Sequence, residues 1–562
     1  MHGRLKIRSS AEQEARKKKE KQMKVVKYKE VMNLIFQKRD DNLYDDELLM
    51  LTERILSEIP DLSSVWNIRR EAFKKREWCQ EEYIELLNKE LILTENCLHK
   101  NPKSYNLWHQ RHWVIHRLPE AKWKSELELC NKCLNLDDRN FHCWDYRQQL
   151  VKNAGVPNQN EFEFSELKIM GNLSNYSSWH YRSKIISNAF SDETENLSIC
   201  HEKYNKELDL VINAIFTDPN DSSAWLYQRW LLEYNMFKAN DIWQIKVTEN
   251  SATIIFHGNT EIKPDELILT RKYSRLDSHI DHTSTWHSYN NKVRSKQWHS
   301  NLPVIANGVD RQFLSISVKH NNKSYDLHKS KNCNVWYYKS SIKRTNTHRT
   351  QLIEQFINIE KLLEMEPNNK WALLTMILLM KNLDLIKYYN EILKNLSTLM
   401  KIDNLHTEYY ADIRSKYLLD YKLHTFGENE EDFDTWSITD LSNLQLTILY
   451  NEHGLSFVEQ LNISGNQLNH SLHRLAVLQN CRKLALCNNN LANLKNFPYL
   501  SSLKYLSLRK NKLTNIEDIL NLLKQHKLTE LDIRDNLLGG NINEITSKIL
   551  TISPNLTLKV NE

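Results

Sequence analysis

Between about residue 10 and residue 240, Leu, Ile and Val recur three and four positions apart and glycine is nearly absent, which is the spacing of amphipathic helices. From about 241 to 345 the period shortens. Thr253-Ile254-Ile255-Phe256, Leu267-Ile268-Leu269 and Phe313-Leu314-Ser315-Ile316-Ser317-Val318 read as short strands, separated by turn-like clusters at His257-Gly258-Asn259, Lys263-Pro264-Asp265 and Asn321-Asn322. Helical spacing returns in LIEQFINIEKLLEMEPNNKWALLTMILLM, and beyond about 440 the leucines fall into a third rhythm. The pattern predicts a multidomain chain in four segments. These are an α-α hairpin solenoid over 1–240, an inserted immunoglobulin-like β-sandwich over 241–349, the remainder of the helical part over 350–425, and an α/β solenoid over 440–562.

The first segment carries an internal repeat, marked by Trp66, Trp108, Trp144, Trp179 and Trp225 at intervals of 42, 36, 35 and 46 residues. Each opens a related phrase: PDLSSVWNIRREAF, PKSYNLWHQRHWVI, DDRNFHCWDYRQQL, NLSNYSSWHYRSKI and PNDSSAWLYQRWLL. Pro60, Pro102 and Pro219 stand six residues before their tryptophans, and Asp, Asn and Ser nearby are cap formers, so each phrase begins a helix. Arg69, Arg111, Arg147 and Arg182 follow Trp by three, on the same side of the helix; in the fifth phrase Arg229 comes one place later. A second amphipathic stretch such as SELELCNKCLNL lies between phrases. Each unit is therefore a hairpin that cannot bury both faces alone, and the hairpins must stack. Trp371 follows Pro367 by four and has no arginine in step, which reads as a degenerate closing repeat.

In the last segment, Leu503-x-x-Leu506-x-Leu508-x-x-Asn511-x-Leu513 and Leu528-x-x-Leu531-x-Ile533-x-x-Asn536-x-Leu538 fit the leucine-rich repeat pattern. Val458 to Leu468 and Leu484 to Leu491 complete the set, with asparagines 23, 22 and 25 residues apart. Each repeat predicts one short strand and a buried Asn amide that satisfies loop backbone.

Composition narrows the class. The 562 residues suffice for several domains at about 100–200 residues each, and 40% apolar with 26% charged residues is a globular balance. No run of about 18 uncharged apolar residues occurs, so no transmembrane segment is expected. MHGRLKIRSS has no secretory core. Nine cysteines at irregular spacing do not form a disulfide framework, and a cytoplasmic location is expected. The net charge is +5. The basic run Arg16, Lys17, Lys18, Lys19, Lys21, Lys24, Lys27, Lys29 is mixed with glutamates and lacks a base-stacking platform, so it reads as a solvated helix face with no nucleic-acid partner.

No self-sufficient catalytic motif is present: no phosphate-binding glycine loop, no Gly-x-Ser-x-Gly and no His-Glu-x-x-His. Cys130-x-x-Cys133 with His142-Cys143 has a zinc-like spacing, but the first two lie in an amphipathic stretch and read as core thiols. The phrase openings are more informative. They set Lys103, Tyr105 and Asn106, then Phe141 and His142, then Asn175 to Ser177, at successive helix N-termini along one edge, where dipoles and free N–H groups favour anions. Lys103 would strengthen such a site; a merely solvated lysine is the plain alternative.

The Trp-and-Arg phrases resemble the repeat of protein prenyltransferase α subunits. The inserted sandwich and the leucine-rich repeats make the resemblance strongest to the type II branch, which adds geranylgeranyl to Rab proteins. The resemblance implies a heterodimer, inactive as this chain alone. Its β subunit would carry zinc and the lipid pocket, and its substrates would be geranylgeranyl diphosphate and C-terminal cysteines of Rab GTPases presented by a Rab escort protein. It implies Lys103 beside the leaving diphosphate and Tyr105, Phe141 and His142 around the same mouth, with Phe141 in place of a tyrosine and so limited to packing. His2 would be an autoinhibitory ligand to the partner's zinc. A non-enzymatic repeat scaffold and the α subunit of a related farnesyltransferase stay open as alternatives.

Overall fold

The computed structural model describes residues 11–191, 199–234 and 241–561, apart from 264–265, 274–278, 283–284, 289–291, 303–312, 322, 331–333, 341–345 and 426–436. It divides into two compact units, Met1–Glu207 with Asp221–Tyr227, and Leu208–Asn220 with Gln228–Glu562.

The first unit is built of helices in chain order: α1 (Ala11–Asp40), α2 (Asp46–Glu58), α3 (Ser63–Lys75), α4 (Gln80–Lys100), α5 (Tyr105–Ile115), α6 (Trp123–Leu136), α7 (Phe141–Asn153), α8 (Asn158–Gly171) and α9 (Tyr176–Ala189). α10 (His201–Thr217) and α11 (Ser222–Tyr234) are shared with the second unit. Within the first unit α2 packs on α3, α4 on α5, α6 on α7 and α8 on α9, and the second helices then stack in the order α3, α5, α7, α9.

The tryptophan phrase works as a joint. The indole N–H donates to the carbonyl six residues earlier, at 2.8 Å for Trp66 to Pro60, Trp108 to Pro102 and Trp179 to Leu173, and 2.9 Å for Trp144 to Asp138. The next hairpin's cap residue reaches the same carbonyl. Asn140 Nδ2 donates to Pro102 O and Asn175 Nδ2 to Asp138 O, both at 2.9 Å. Asn140 and Asn175 also accept from the first-turn amides of α7 and α9. One side chain thus caps its own helix and ties it to the preceding repeat.

The arginines three residues on are buried, and each ties its own helix to two others. Arg111 donates Nε and Nη2 to Glu126 at 2.7 and 2.8 Å, and Nη1 to Thr94 Oγ1 and Leu91 O, both at 2.9 Å. Arg147 forks onto Glu161 and reaches Asn131. Arg182 forks onto Glu207 and reaches Ser165, and Arg69 does the same with Glu90 and Thr52. Each glutamate then receives a bond from two places past the next tryptophan: Gln110 to Glu90, Tyr146 to Glu126, Tyr181 to Glu161 and Tyr227 to Glu207. Burial alone would lower the Arg111, Arg147 and Arg182 pKa values, but the carboxylate hydrogen bonds and charge outweigh it and they rise. The phenols of Tyr146 and Tyr227 are pushed up by burial first and by the adjoining glutamate second.

The second unit ends this series differently. Gln228 stands three residues after Trp225, where the earlier phrases have Arg, and its Nε2 donates to Gln355 Oε1 at 2.9 Å. The shifted Arg229 does not take the structural place; a neutral amide pair does. Gln355 lies on α12 (Asn346–Met365), followed by α13 (Lys370–Ile402) and α14 (Thr407–Thr425). Asn369 caps α13 and donates to Pro219 O at 3.0 Å, the bond made by Asn140 and Asn175 before it. Counting from that cap, the tryptophan place belongs to buried Leu373, six after Pro367, so Trp371 lies two residues out of register. α13 breaks at Asp384, whose carboxylate caps the resumed helix through Lys387 N at 2.9 Å.

Among the described residues, ten strands lie between α11 and α12: β1 (Ile242–Val247), β2 (Ser251–Thr260), β3 (Leu267–Tyr273), β4 (His279–His282), β5 (His287–Ser288), β6 (Ser295–Asn301), β7 (Phe313–His320), β8 (Lys323–Asp326), β9 (His328–Lys329) and β10 (Trp336–Lys339). They form antiparallel sheets ordered β5-β6-β2-β1-β10-β9 and β4-β3-β7-β8, around a core that includes Ile245, Ile254, Phe256, Leu269, Val318 and Trp336. Where the sequence suggested a turn at His257-Gly258-Asn259, β2 continues to Thr260 and its pairing with β6 shifts between Ile255 and Thr260. The glycine marks a bulge and not a chain reversal. Thr253 to Phe256 are all buried because β2 is covered on both faces, Ile255 packing with Phe457.

Six parallel three-residue strands follow in register: β11 (Ile438–Asp440), β12 (Gln460–Asn462), β13 (Lys483–Ala485), β14 (Tyr505–Ser507), β15 (Glu530–Asp532) and β16 (Thr557–Lys559), with α15 (Ile516–Gln525) and α16 (Ile542–Ile552) between the later ones. Asn511 donates to Leu486 O and Leu508 O and accepts from the amides of Asn489 and Leu491; Asn466 and Asn536 bridge their turns in the same way. The residue before each ladder asparagine, Gly465, Asn488, Lys510 and Asp535, has positive φ. At Gly465 a Cβ would stand 2.0 Å from Asn443 Oδ1, so any other residue would have to displace that side chain as well as adopt positive φ.

Candidate functional site

Lys103, Tyr105, Phe141 and His142 come together where α5 and α7 begin. The Lys103 amide is held by Asn101 Oδ1 at 3.3 Å, and Ser104 caps α5 through Leu107 N. Ser104 also donates to Asp61, and Asn106 donates to the Asp61 carbonyl, so the preceding hairpin fixes this turn. The Lys103 side chain is about two-thirds exposed and its Nζ sits 2.9 Å from Asp137 Oδ2. Tyr105 meets His142 edge-on with ring centroids 4.2 Å apart and lies 5.8 Å from Phe141. Phe141 and His142 are 3.9 Å apart.

The four differ in exposure. Tyr105 and Phe141 are exposed, whereas His142 is buried. Burial lowers the His142 pKa. The Asp145 charge opposes that, the Lys103 charge reinforces it, and a hydrogen bond to the Lys103 backbone opposes it again. At neutral pH the imidazole is uncharged and ties the first turn of α7 to the turn carrying Lys103.

The first-turn amides here are less free than the sequence suggested. Leu107 N is taken by Ser104 Oγ at 3.4 Å and Cys143 N by Asn140 Oδ1 at 3.3 Å. What the edge offers an anion is therefore the mobile charge of Lys103 beside the helix dipoles. Its present partner is a surface ion pair, a contact worth about 0–1 kcal/mol, so a more highly charged anion could displace Asp137. Sequence reasoning missed Asp61, Asp137 and Asp145, the carboxylates around the site. The signal was there: Asp61 and Asp137 stand five and seven residues before their tryptophans, inside the phrases. Tyr176 occupies the corresponding first position of α9, exposed and stacked on His180 at 5.8 Å. His2 lies outside the described residues. A separate polar cleft of about 310 Å³ is lined by Arg39, Ser64, Asn67, Arg70, Glu71 and Lys74 and contains none of these side chains.

The family model "Protein prenyltransferase alpha subunit repeat" matches residues 87–118, 123–154, 158–189 and 204–235. The second to fourth matches each take in most of one hairpin, and the first joins the end of α4 to α5. The chain is similar to the geranylgeranyl transferase type-2 subunit alpha of Sus scrofa, 33% identical over 556 residues that cover 95% of this chain and 96% of the other. The Homo sapiens protein of that name is 33% identical over 592 residues, covering 99% and 100%. The one from Saccharomyces cerevisiae is 34% identical over 242 residues, 42% of this chain and 72% of the other.

Proposed function

This chain belongs to the protein prenyltransferase α-subunit family, in the geranylgeranyl transferase type-2 branch, and from that premise we propose that it is the α subunit of a heterodimeric protein geranylgeranyltransferase, inactive alone. Its partner is a prenyltransferase β subunit, and the lipid donor is geranylgeranyl diphosphate. The acceptors are C-terminal cysteines of Rab GTPases, presented by a Rab escort protein. The zinc belongs to the partner and supplies activation of the acceptor thiol when bound. The finer architecture goes with this reading: an immunoglobulin-like sandwich at 241–349 between helical segments 1–240 and 350–425, and leucine-rich repeats over 440–562.

This chain's own part follows from the α5–α7 edge. As the bond between the allylic carbon and diphosphate breaks, negative charge grows on the diphosphate oxygens. A cation there is worth more in the transition state than in the ground state. Lys103 is the cation, held on a turn fixed by Asn101, Ser104 and Asp61. Tyr105 and Phe141 offer apolar faces to substrate, and Phe141 has no donor for the diphosphate. Neutral His142 positions both through its ring contacts.

The observation that carries the reading is the convergence of Lys103, Tyr105, Phe141 and His142 on one edge of a prenyltransferase-type repeat array. The test is co-expression with a candidate β subunit. The expected result is a zinc-containing complex that transfers geranylgeranyl to a Rab–escort complex, with no transfer by either subunit alone. A chain that stays monomeric in the presence of such subunits would be a scaffold, and the proposal would fail.

A further inference from the structure

The polar cleft near the start of the helical array is rich in donors and poor in acceptors. Arg39 lines it from the last turn of α1, and Ser64, Asn67, Arg70, Glu71 and Lys74 line it from α3. Their spacing of three and four residues sets the α3 group along one face of that helix. Three cations stand there against one carboxylate, and that carboxylate is already taken. Arg39 Nε and Nη2 donate to the two oxygens of Glu71, each at 2.7 Å. The charges of Arg70 and Lys74 are left over.

Arg70 marks the place. It is half-buried, and no carboxylate bonds to it. Nη1 donates to Gln110 Oε1 at 2.6 Å and lies 3.4 Å from His109 Nδ1, and Nη2 donates to Asn67 Oδ1. Burial and the Arg70 charge lower the His109 pKa, so all three neighbours are neutral at pH 7. Among the described residues no acceptor is bonded to Arg70 Nε, Lys74 Nζ, Ser64 Oγ or Asn67 Nδ2. Burial lowers the Arg70 pKa; the Glu90 charge opposes this and the Arg117 charge adds to it. The repeat itself does not call for this arginine. The fourth residue after the tryptophan is His112, Gln148 and Ser183 in the next three phrases.

We propose that the cleft binds a small ligand through a phosphate group, as a site separate from the α5–α7 edge and independent of the function proposed above. A phosphomonoester carries close to two negative charges at neutral pH and three acceptor oxygens, which match the two surplus cations and the open donors. A carboxylate has one charge and two oxygens and would leave half of the set unmatched. Arg70 and Lys74 supply the charge, and Ser64, in the first turn of α3, adds a hydroxyl where the helix dipole favours an anion. The volume of about 310 Å³ is at the small end of ligand pockets, and its polar lining suits a charged ligand more than a lipid.

The test is phosphorus NMR of inorganic phosphate titrated with the full-length chain. The expected result is saturable line broadening that excess acetate does not reverse. Affinity should fall about tenfold in Arg70→Gln and in Lys74→Gln, the loss of one charge-assisted contact each, and stay unchanged in Lys103→Ala. Lys74 is exposed and makes no bond within the fold, so its substitution leaves the helix intact and separates lost binding from lost folding. Absence of saturable broadening, or broadening equal to wild type in both cleft variants, overturns the proposal. Loss of binding in Lys103→Ala alone puts the phosphate at the α5–α7 edge and overturns it too, as does reversal by acetate. Binding that persists when a β subunit is added supports the cleft as a ligand site. Binding abolished by that addition makes the cleft a partner surface and overturns the proposal.

Discussion

A buried guanidinium needs a countercharge close at hand, and Arg147 shows how much depends on this. Its fork onto Glu161 and its bond to Asn131 leave no free charge in the hairpin interior. Arg147→Ala should cost about 3–5 kcal/mol, because Glu161 would be left as an uncompensated buried charge. The double variant Arg147→Gln with Glu161→Gln should recover most of that, since the chain already uses this chemistry at Gln228 and Gln355. Urea unfolding of the single and double variants measures both; equal losses would mean that unpaired charge is not the cause. His142 gives the pH dependence. Its folded pKa lies below the ordinary imidazole value of about 6.5, so the unfolded chain binds the proton more readily. Its contribution is fully present above about pH 6.5 and is lost as pH falls through the folded value. Between pH 7 and 5 the stability of His142→Gln should decline less steeply than that of the wild type, and parallel profiles would remove His142 as the cause.

At the scale of elements, constant and variable distances decide what could be read from the chain. The tryptophan, the capping residue and the arginine stand at nearly fixed offsets because they belong to one turn, so the repeat was legible in Trp66 to Trp225. The return bonds also keep one offset: Gln110, Tyr146, Tyr181 and Tyr227 each lie 20 residues after their glutamate. The arginine partners were not legible, because Glu90, Glu126, Glu161 and Glu207 follow their arginines by 21, 15, 14 and 25 residues across loops of unequal length. The same local reasoning marked Trp371 as out of step with Pro367, and the cap at Asn369 puts Leu373 in the tryptophan place; it misled at Gly258, where a bulge looked like a turn. Asn140 tests the joint itself, since it caps α7 and bonds Pro102 O in the previous hairpin. Asn140→Ala should cost about 1–2 kcal/mol. Asn140→Ser should recover only part, because a hydroxyl can cap but has no amide to reach Pro102. Thermal unfolding orders the three chains, and a serine variant as stable as wild type would deny the inter-hairpin bond any role.

At the scale of the molecule, the repeats bring Lys103, Tyr105, Phe141 and His142 to one edge. No helix among the described residues is long and apolar enough to cross a membrane. The candidate edge has one lysine, two exposed rings and a buried histidine held neutral by burial. Lys103, Tyr105, Phe141 and His142 could be singled out from the sequence because each sits at a fixed distance from a tryptophan. Asp61 and Asp137 stand in the same phrases, but that Asp61 holds the Lys103 turn and Asp137 pairs with Lys103 was not legible, because those contacts join neighbouring hairpins or the two ends of a loop. The central claim is that Lys103 acts on the departing diphosphate. The most direct test is the single-turnover rate of geranylgeranyl transfer by the assembled heterodimer carrying Lys103→Ala. The predicted result is a rate lower by about 10- to 100-fold with assembly unchanged, in line with the loss of one charge-stabilising group. A variant that assembles and transfers lipid at the wild-type rate would contradict the account.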